Sequence, residues 1–270
     1  MKKPLLTCLV AALSPLGMAD DFIEREKKTV RPLSTDRPDQ TESAHSVPKG
    51  WFQVESNLVS YSRTYRVGEQ AENTSWGDFI FKYGITDNTD IQFGWAPHVL
   101  RRDQDTDGVL AGKHSGIGDV TLRVKTNLVG NDSGSYEIAL LPWVKAPTAG
   151  TGLGNGRWEY GLTVNQEFDI GGGWELGSSI FLAIAVTDER LRYFEPAFTL
   201  ALGHDLTESL GFYVETYQGY LYEDGRYWQS AFDGGLTYRV TPDVQLDAGV
   251  NWFFNGQQVL NPFAGISFRF

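Results

Sequence analysis

Residues 244–254 read VQLDAGVNWFF, and residues 262–270 read PFAGISFRF. In the first stretch Val244, Leu246, Ala248, Val250, Trp252 and Phe254 share one face of an extended chain, and Gln245, Asp247, Gly249 and Asn251 share the other. In the second, Ala264, Ile266, Phe268 and Phe270 oppose Phe263, Gly265, Ser267 and Arg269. A period of two is the signature of a β-strand with one apolar face. The same pattern recurs upstream. Val120, Leu122 and Val124 alternate with Asp119, Thr121, Arg123, Lys125 and Asn127, and Phe79, Phe81, Tyr83 and Ile85 with Asp78, Lys82 and Gly84.

Further alternating runs lie near 52–61, 90–100, 136–145, 158–168, 174–186, 194–202, 210–222 and 228–240. That makes about twelve strands, an even number, most of them long enough to cross a bilayer when tilted. Every strand carries an apolar face, and no helix or second layer is available to cover those faces. The expectation is therefore all-β: a transmembrane antiparallel β-barrel of about 12 strands, with lipid on its apolar side and both termini periplasmic. Short turns at Asp87-Asn88, 131–134, 171–173, 207–209 and 241–243 carry the Asn, Asp, Gly and Pro that tight turns require. Longer polar connections are expected at 67–75, 103–116 and 148–156. Aromatics near strand ends, among them Trp51, Tyr83, Trp158, Trp174, Trp228 and Trp252, suit interfacial belts.

The N-terminus reads as export. Lys2 and Lys3 precede an apolar run from Leu5 to Leu16, and Gly17-Met18-Ala19 places small residues before a cut after Ala19. The expected organisation is a signal peptide over 1–19, a polar periplasmic extension or plug over 20–50 and an outer-membrane barrel over 51–270. Cleavage would remove Cys8, the only cysteine, leaving no disulfide and no thiolate chemistry. The formal charge of -11 argues against nucleic acid as a partner. No cofactor or metal is expected.

Charged residues on the polar face would line the lumen, because a Lys or Arg facing mid-membrane lipid costs about 2–4 kcal/mol. Candidate lining acids are Glu55, Asp119, Glu215, Asp233 and Asp247, with Asp78, Glu137, Glu159, Glu167, Glu175 and Glu195 on the same register. Candidate bases are Lys82, Arg123, Lys125, Arg239 and Arg269, with Lys145. The four histidines, at 45, 98, 114 and 204, sit in no metal-binding spacing or nucleophile elbow. The D-x-D-x-D run at Asp103, Asp105 and Asp107 lacks the glutamate of a calcium loop, since His114 stands at the twelfth position. It reads as a solvated loop.

The most distinctive string is Leu33-Ser-Thr-Asp-Arg-Pro-Asp-Gln-Thr-Glu-Ser43, continued by Val47-Pro48-Lys49-Gly50-Trp51-Phe52-Gln53-Val54-Glu55. Over residues 34–55 it resembles the opening of the outer-membrane transporter family of the meta-pathway of phenol degradation. The resemblance implies an outer-membrane channel or transporter for small molecules, hydrophobic or aromatic compounds among them. The strand ending on Phe270 resembles the assembly signal by which barrel-assembly machinery recognises its clients. That machinery and outer-membrane lipid are the expected partners, with a small-molecule substrate that the sequence does not name. The charged string, stiffened by two prolines, is a candidate plug or gate through Asp36, Arg37, Asp39 and Glu42. Arg37 would pair with a luminal acid, and Asp36 or Glu42 with a base such as Arg239 or Arg269. Two other classes stay open: a non-transporting structural or surface-interaction barrel, and a lipid-modifying barrel enzyme.

Overall fold

A backbone segment that crosses hydrocarbon must satisfy every N–H and C=O internally, which a closed ring of strands achieves. The computed structural model describes residues 30–66, 69–105, 107–132, 134–187, 191–222 and 226–270. The expected signal peptide and the start of the extension, 1–29, lie outside them.

Fifteen strand segments are described: β1 (Phe52–Arg66), β2 (Glu69–Trp76), β3 (Asp78–Gly84), β4 (Thr89–Trp95), β5 (His98–Asp105), β6 (Leu110–Gly116), β7 (Val120–Val129), β8 (Tyr136–Ala146), β9 (Glu159–Gly171), β10 (Trp174–Val186), β11 (Arg192–Asp205), β12 (Leu210–Tyr222), β13 (Arg226–Thr241), β14 (Val244–Asn255) and β15 (Gln258–Arg269). They compose twelve barrel strands. β2 and β3 are one strand bent at Gly77 (φ 69°), β4 and β5 continue through Ala96-Pro97, and β6 and β7 through residues 117–119. All ladders are antiparallel, and β15 returns to β1, so the sheet closes.

The expected loops at 67–75 and 103–116 are instead largely strand, since β2, β5 and β6 extend the wall there. These segments are polar on both faces, so they carry no alternation for the eye to find. Backbone pairing holds them regardless. In the 103–107 run, Asp105 caps a turn by accepting the N–H groups of Asp107 and Val109.

The side-chain distribution is inverted relative to a water-soluble domain. Leu122, Phe232 and Trp252 expose more than half of their surface on the outside, whereas Glu55 and Lys125 expose 1% inside. Trp174 stacks on His204 at 4.3 Å, and Phe52 on Tyr83 at 4.6 Å, near the end of the barrel where the chain enters.

The seam sits at that same end. Phe52 and Phe270 exchange two backbone hydrogen bonds, both 2.9 Å, and their rings stack at 5.8 Å. Deleting Phe270 removes both bonds, at about 0.5–1.5 kcal/mol each. The temperature at which the barrel loses its compact gel mobility should fall measurably, and an unchanged midpoint would show that the seam does not depend on them.

Candidate functional site

Residues Pro32–Phe270 form one unit, and Pro32–Gly50 within it runs inside the barrel. Among the described residues the segment has no ladder of its own beyond a single parallel bridge between Lys49 and Gly84. Extended backbone buried without a ladder must find other partners, and the wall supplies them. The N–H of Asp36 donates to Glu55 Oε2 (2.9 Å), those of Gln40 and Thr41 to the two Glu215 oxygens (2.8 and 2.7 Å), and that of Glu42 to Ser179 Oγ (2.9 Å). Ala44 donates to Glu167 Oε1 (2.9 Å), Ser46 to Asn131 (3.1 Å) and Val47 to Asp90 (2.8 Å). The carbonyls of Ser34, Ser43 and Ala44 accept from Gln53, Lys125 and Asn127 at 2.7–2.9 Å.

Side chains add ionic contacts. Asp36 meets Lys82 at 2.5 Å, contacts Lys125 and lies 3.5 Å from Arg123, while its Oδ1 also accepts the N–H of Ser43. Lys82 is shared with Glu55, and Arg123 with Glu42. Burial opposes the charged form of Asp36, but Lys125, Lys82 and Arg123 outweigh it and hold the carboxyl well below the usual range.

Farther round the wall, on β1, β14 and β15, Arg37 pairs with both Asp247 oxygens (Nη2 2.5 Å, Nε 3.2 Å) and donates to Asn57 (2.7 Å). Its guanidinium also lies over the Phe263 ring, 5.5 Å from the centroid. Gly265 makes room for it, since a β-carbon there would sit 2.1 Å from Nη2. Gln40 reaches Asp233, and the Thr41 hydroxyl donates to Glu215 at 2.6 Å.

The wall is thus divided by charge. A basic cluster of Lys82, Arg123 and Lys125 on β3 and β7, interleaved with Glu55 on β1 and Asp90 on β4, faces an arc of acids alone, Glu167, Glu215, Asp233 and Asp247 on β9 and β12–β14.

Of the residues singled out in the sequence, Glu55, Lys82, Arg123, Lys125, Glu215, Asp233 and Asp247 converge on this segment. Asp119 does not: it pairs with Lys145 (3.2 Å) toward the other end. Neither Arg239 nor Arg269 is the partner of Asp36 or Glu42. Arg239 donates to the Glu208 carbonyl, and Arg269 binds Asp243 (2.6 Å) and lies over Trp51. Arg239 is exposed near a strand end, and Arg269 is engaged by Asp243 and by the Pro32 carbonyl (3.4 Å) rather than by an acid of the segment. Sequence reasoning placed Asn127 inward with Arg123 and Lys125 and missed Gln53, Asp90, Asn131 and Ser179. Except for Asn131, in a turn, they occupy inward positions of strands, and that register was the available signal.

Asp39 behaves oppositely to Asp36. Burial, followed by the charges of Glu215, Glu167 and Asp36, raises its carboxyl well above 3.8. A raised pKa in the docked state means that docking is favoured fully below the ordinary value and loses that contribution as pH rises through the raised one. Asp39→Asn should therefore protect the segment from protease better than the native residue at neutral pH, and flatten the pH dependence above about 4. Equal protection of both chains at every pH would contradict this.

Beyond the segment the inward face adds aromatic and small residues to the paired charges of Asp119, Lys145 and Glu159. Trp143 packs where a Gly161 β-carbon would stand, and Tyr217 meets Phe253 edge-on at 5.7 Å.

No curated protein matches the chain in sequence. Among solved structures, the NanC porin superposes with a TM-score of 0.50 at 12% identity, covering 80% of this chain and 98% of the porin. The KdgM porin gives 0.45 at 7% identity, with 78% and 97% covered. The toluene transporter TodX of Pseudomonas putida gives 0.42 at 10% identity, with 83% and 90% covered. The likeness to NanC is one of fold, and the fold is that of bacterial outer-membrane barrels. A family model described as "Putative MetA-pathway of phenol degradation" matches residues 35–270, which include both the charged segment and the whole barrel. This outer-membrane barrel with its N-terminal segment folded inside belongs to that family.

Proposed function

We propose that the protein is a plugged conduit for small molecules across the outer membrane, with Pro32–Gly50 as the movable part and the end bearing Phe270 facing the periplasm. The observation that carries this reading is the separate character of the segment. Among the described residues it is held by side chains of the wall and one bridge, so it can leave without breaking a barrel ladder. The inward aromatics, Trp143 beside Gly161 and the pair Tyr217 and Phe253, suit a hydrophobic or aromatic permeant, as does the pathway in the family description. Passage, not catalysis, is the role that these features support. The terminal strand would serve recognition by the barrel-assembly machinery through Phe270, and the exposed apolar belt would meet outer-membrane lipid.

Conductance in planar bilayers tests the reading. The chain should conduct little, and a chain lacking residues 32–49 should form an open pore. If both forms fold and neither conducts, an aqueous pathway is excluded and a structural or surface-binding role takes its place.

A further inference from the structure

Glu137 on β8 and Glu167 on β9 stand directly opposite one another in the ladder, both facing inward. Like charges in that relation repel, so the pair calls for a cation. His45, carried in by the N-terminal segment, points at them. Its Nε2 lies 3.1 Å from Glu137 Oε1 and 3.7 Å from Glu167 Oε2. One donor atom from each of the three residues lies within 4.8 Å of the others. A tetrahedral zinc ion with bonds of about 2.0–2.1 Å keeps its ligands about 3.3 Å apart, close to this spacing.

The surroundings are those of a prepared site. Glu167 is held by its second oxygen, which accepts the N–H of Ala44, the residue before His45. Glu137 Oε2 is buried with no hydrogen-bond partner among the described residues.

We propose that His45, Glu137 and Glu167 bind one zinc-type divalent ion, with water completing the coordination. An imidazole with two carboxylates suits zinc and its neighbours, whereas calcium takes six to eight oxygen ligands. The ligands come from residues 45, 137 and 167, so no local spacing announces them. Because one ligand belongs to the segment and two to the wall, the ion binds only the docked state. At a concentration of about a hundred times its dissociation constant it would shift docking about a hundredfold. The segment's docked geometry is all that this site requires, so the binding test stands apart from conductance.

The tag-free whole chain, folded in detergent micelles, is titrated with cobalt(II) and then zinc. One equivalent of cobalt should give a visible d–d band that zinc displaces. His45→Ala and Glu137→Gln should each weaken binding by at least about tenfold. Glu137→Gln keeps the bond between Ala44 and Glu167, so protease protection of residues 32–50 in that variant shows that the segment is still docked. No cobalt band, a response to calcium alone, or unchanged affinity in both variants would overturn the site and leave a protonated His45 as the balancing cation.

Discussion

Replacing Asp36 by alanine is expected to release the N-terminal segment from the barrel wall, the largest effect of any single substitution in it. Among the described residues Asp36 is the one carboxylate in contact with Lys82, Lys125 and Arg123 together, and it also ties the segment to itself through Ser43. Removing one partner of a buried ionic group costs about 3–5 kcal/mol, because the charges left behind stay desolvated. At 1.4 kcal/mol per factor of ten, the docked fraction should fall by at least about a hundredfold relative to the undocked. Limited proteolysis would read this as rapid cleavage within 32–50 from an otherwise intact barrel. Single-channel recording would read it as long open periods. Mild acid should not mimic the substitution. The docked carboxyl is held below its ordinary 3.8, so its contribution is present above that value and is lost only as pH falls through the lower docked value. Release of the native segment already at pH 5 would mean that Asp36 is not the anchor described here.

Gly84→Ala should unseat the other end of the segment by steric means alone. A β-carbon at Gly84 would come within 2.1 Å of the Pro48 carbonyl oxygen and 2.5 Å of that of Val47. These are backbone atoms, pinned further by the bonds between Gly50 and Gly84 (2.8 Å) and between Gly84 and Trp51 (3.0 Å). No rotamer change can clear them, so the expected cost is about 1–3 kcal/mol or more. Cleavage at Lys49 should accelerate while the barrel's heat stability changes little. Gly203→Ala is the matched control, since its β-carbon would meet only the Phe212 carbonyl at 3.9 Å. If both variants behaved alike, the close approach at Gly84 would not be what seats the segment.

The barrel was legible wherever lipid is the solvent, because there an outward residue must be apolar and its neighbours need not be. The run from Val244 to Phe254 is such a case, and its ladder with β15 follows the alternation read from it. Legibility ended where water bathes both faces, as in β2, β5 and β6. The ionic site was half visible. Register alone places Lys82, Lys125 and Asp247 inward, and the string at 34–43 advertises charge without a local use for it. Which base meets Asp36 depends on depth along the barrel axis, a quantity set by stagger between strands. Lys125 lies 89 positions from Asp36 in the chain, and no local pattern encodes that encounter. Backbone recognition was hidden for a different reason. Glu215 and Glu167 accept main-chain N–H groups, and main-chain donors look the same at every residue but proline.

The division of the wall into a basic and an acidic arc has an electrical consequence once the segment is gone. Lys82, Arg123 and Lys125, offset only in part by Glu55 and Asp90 of the same wall, would then face Glu215, Asp233 and Asp247 across the vacated bore, with Asp36 and Arg37 no longer between them. Separated charges of opposite sign set up a field perpendicular to the direction of travel. Water in that gap would align across the axis, and a passing molecule would be turned so that its dipole lies along the field. A flat ring bearing a single hydroxyl would cross edge-oriented, whereas a featureless hydrocarbon would have to displace aligned water without compensation. The same charges that hold the bore shut would, when bared, sort its traffic by polarity and orientation.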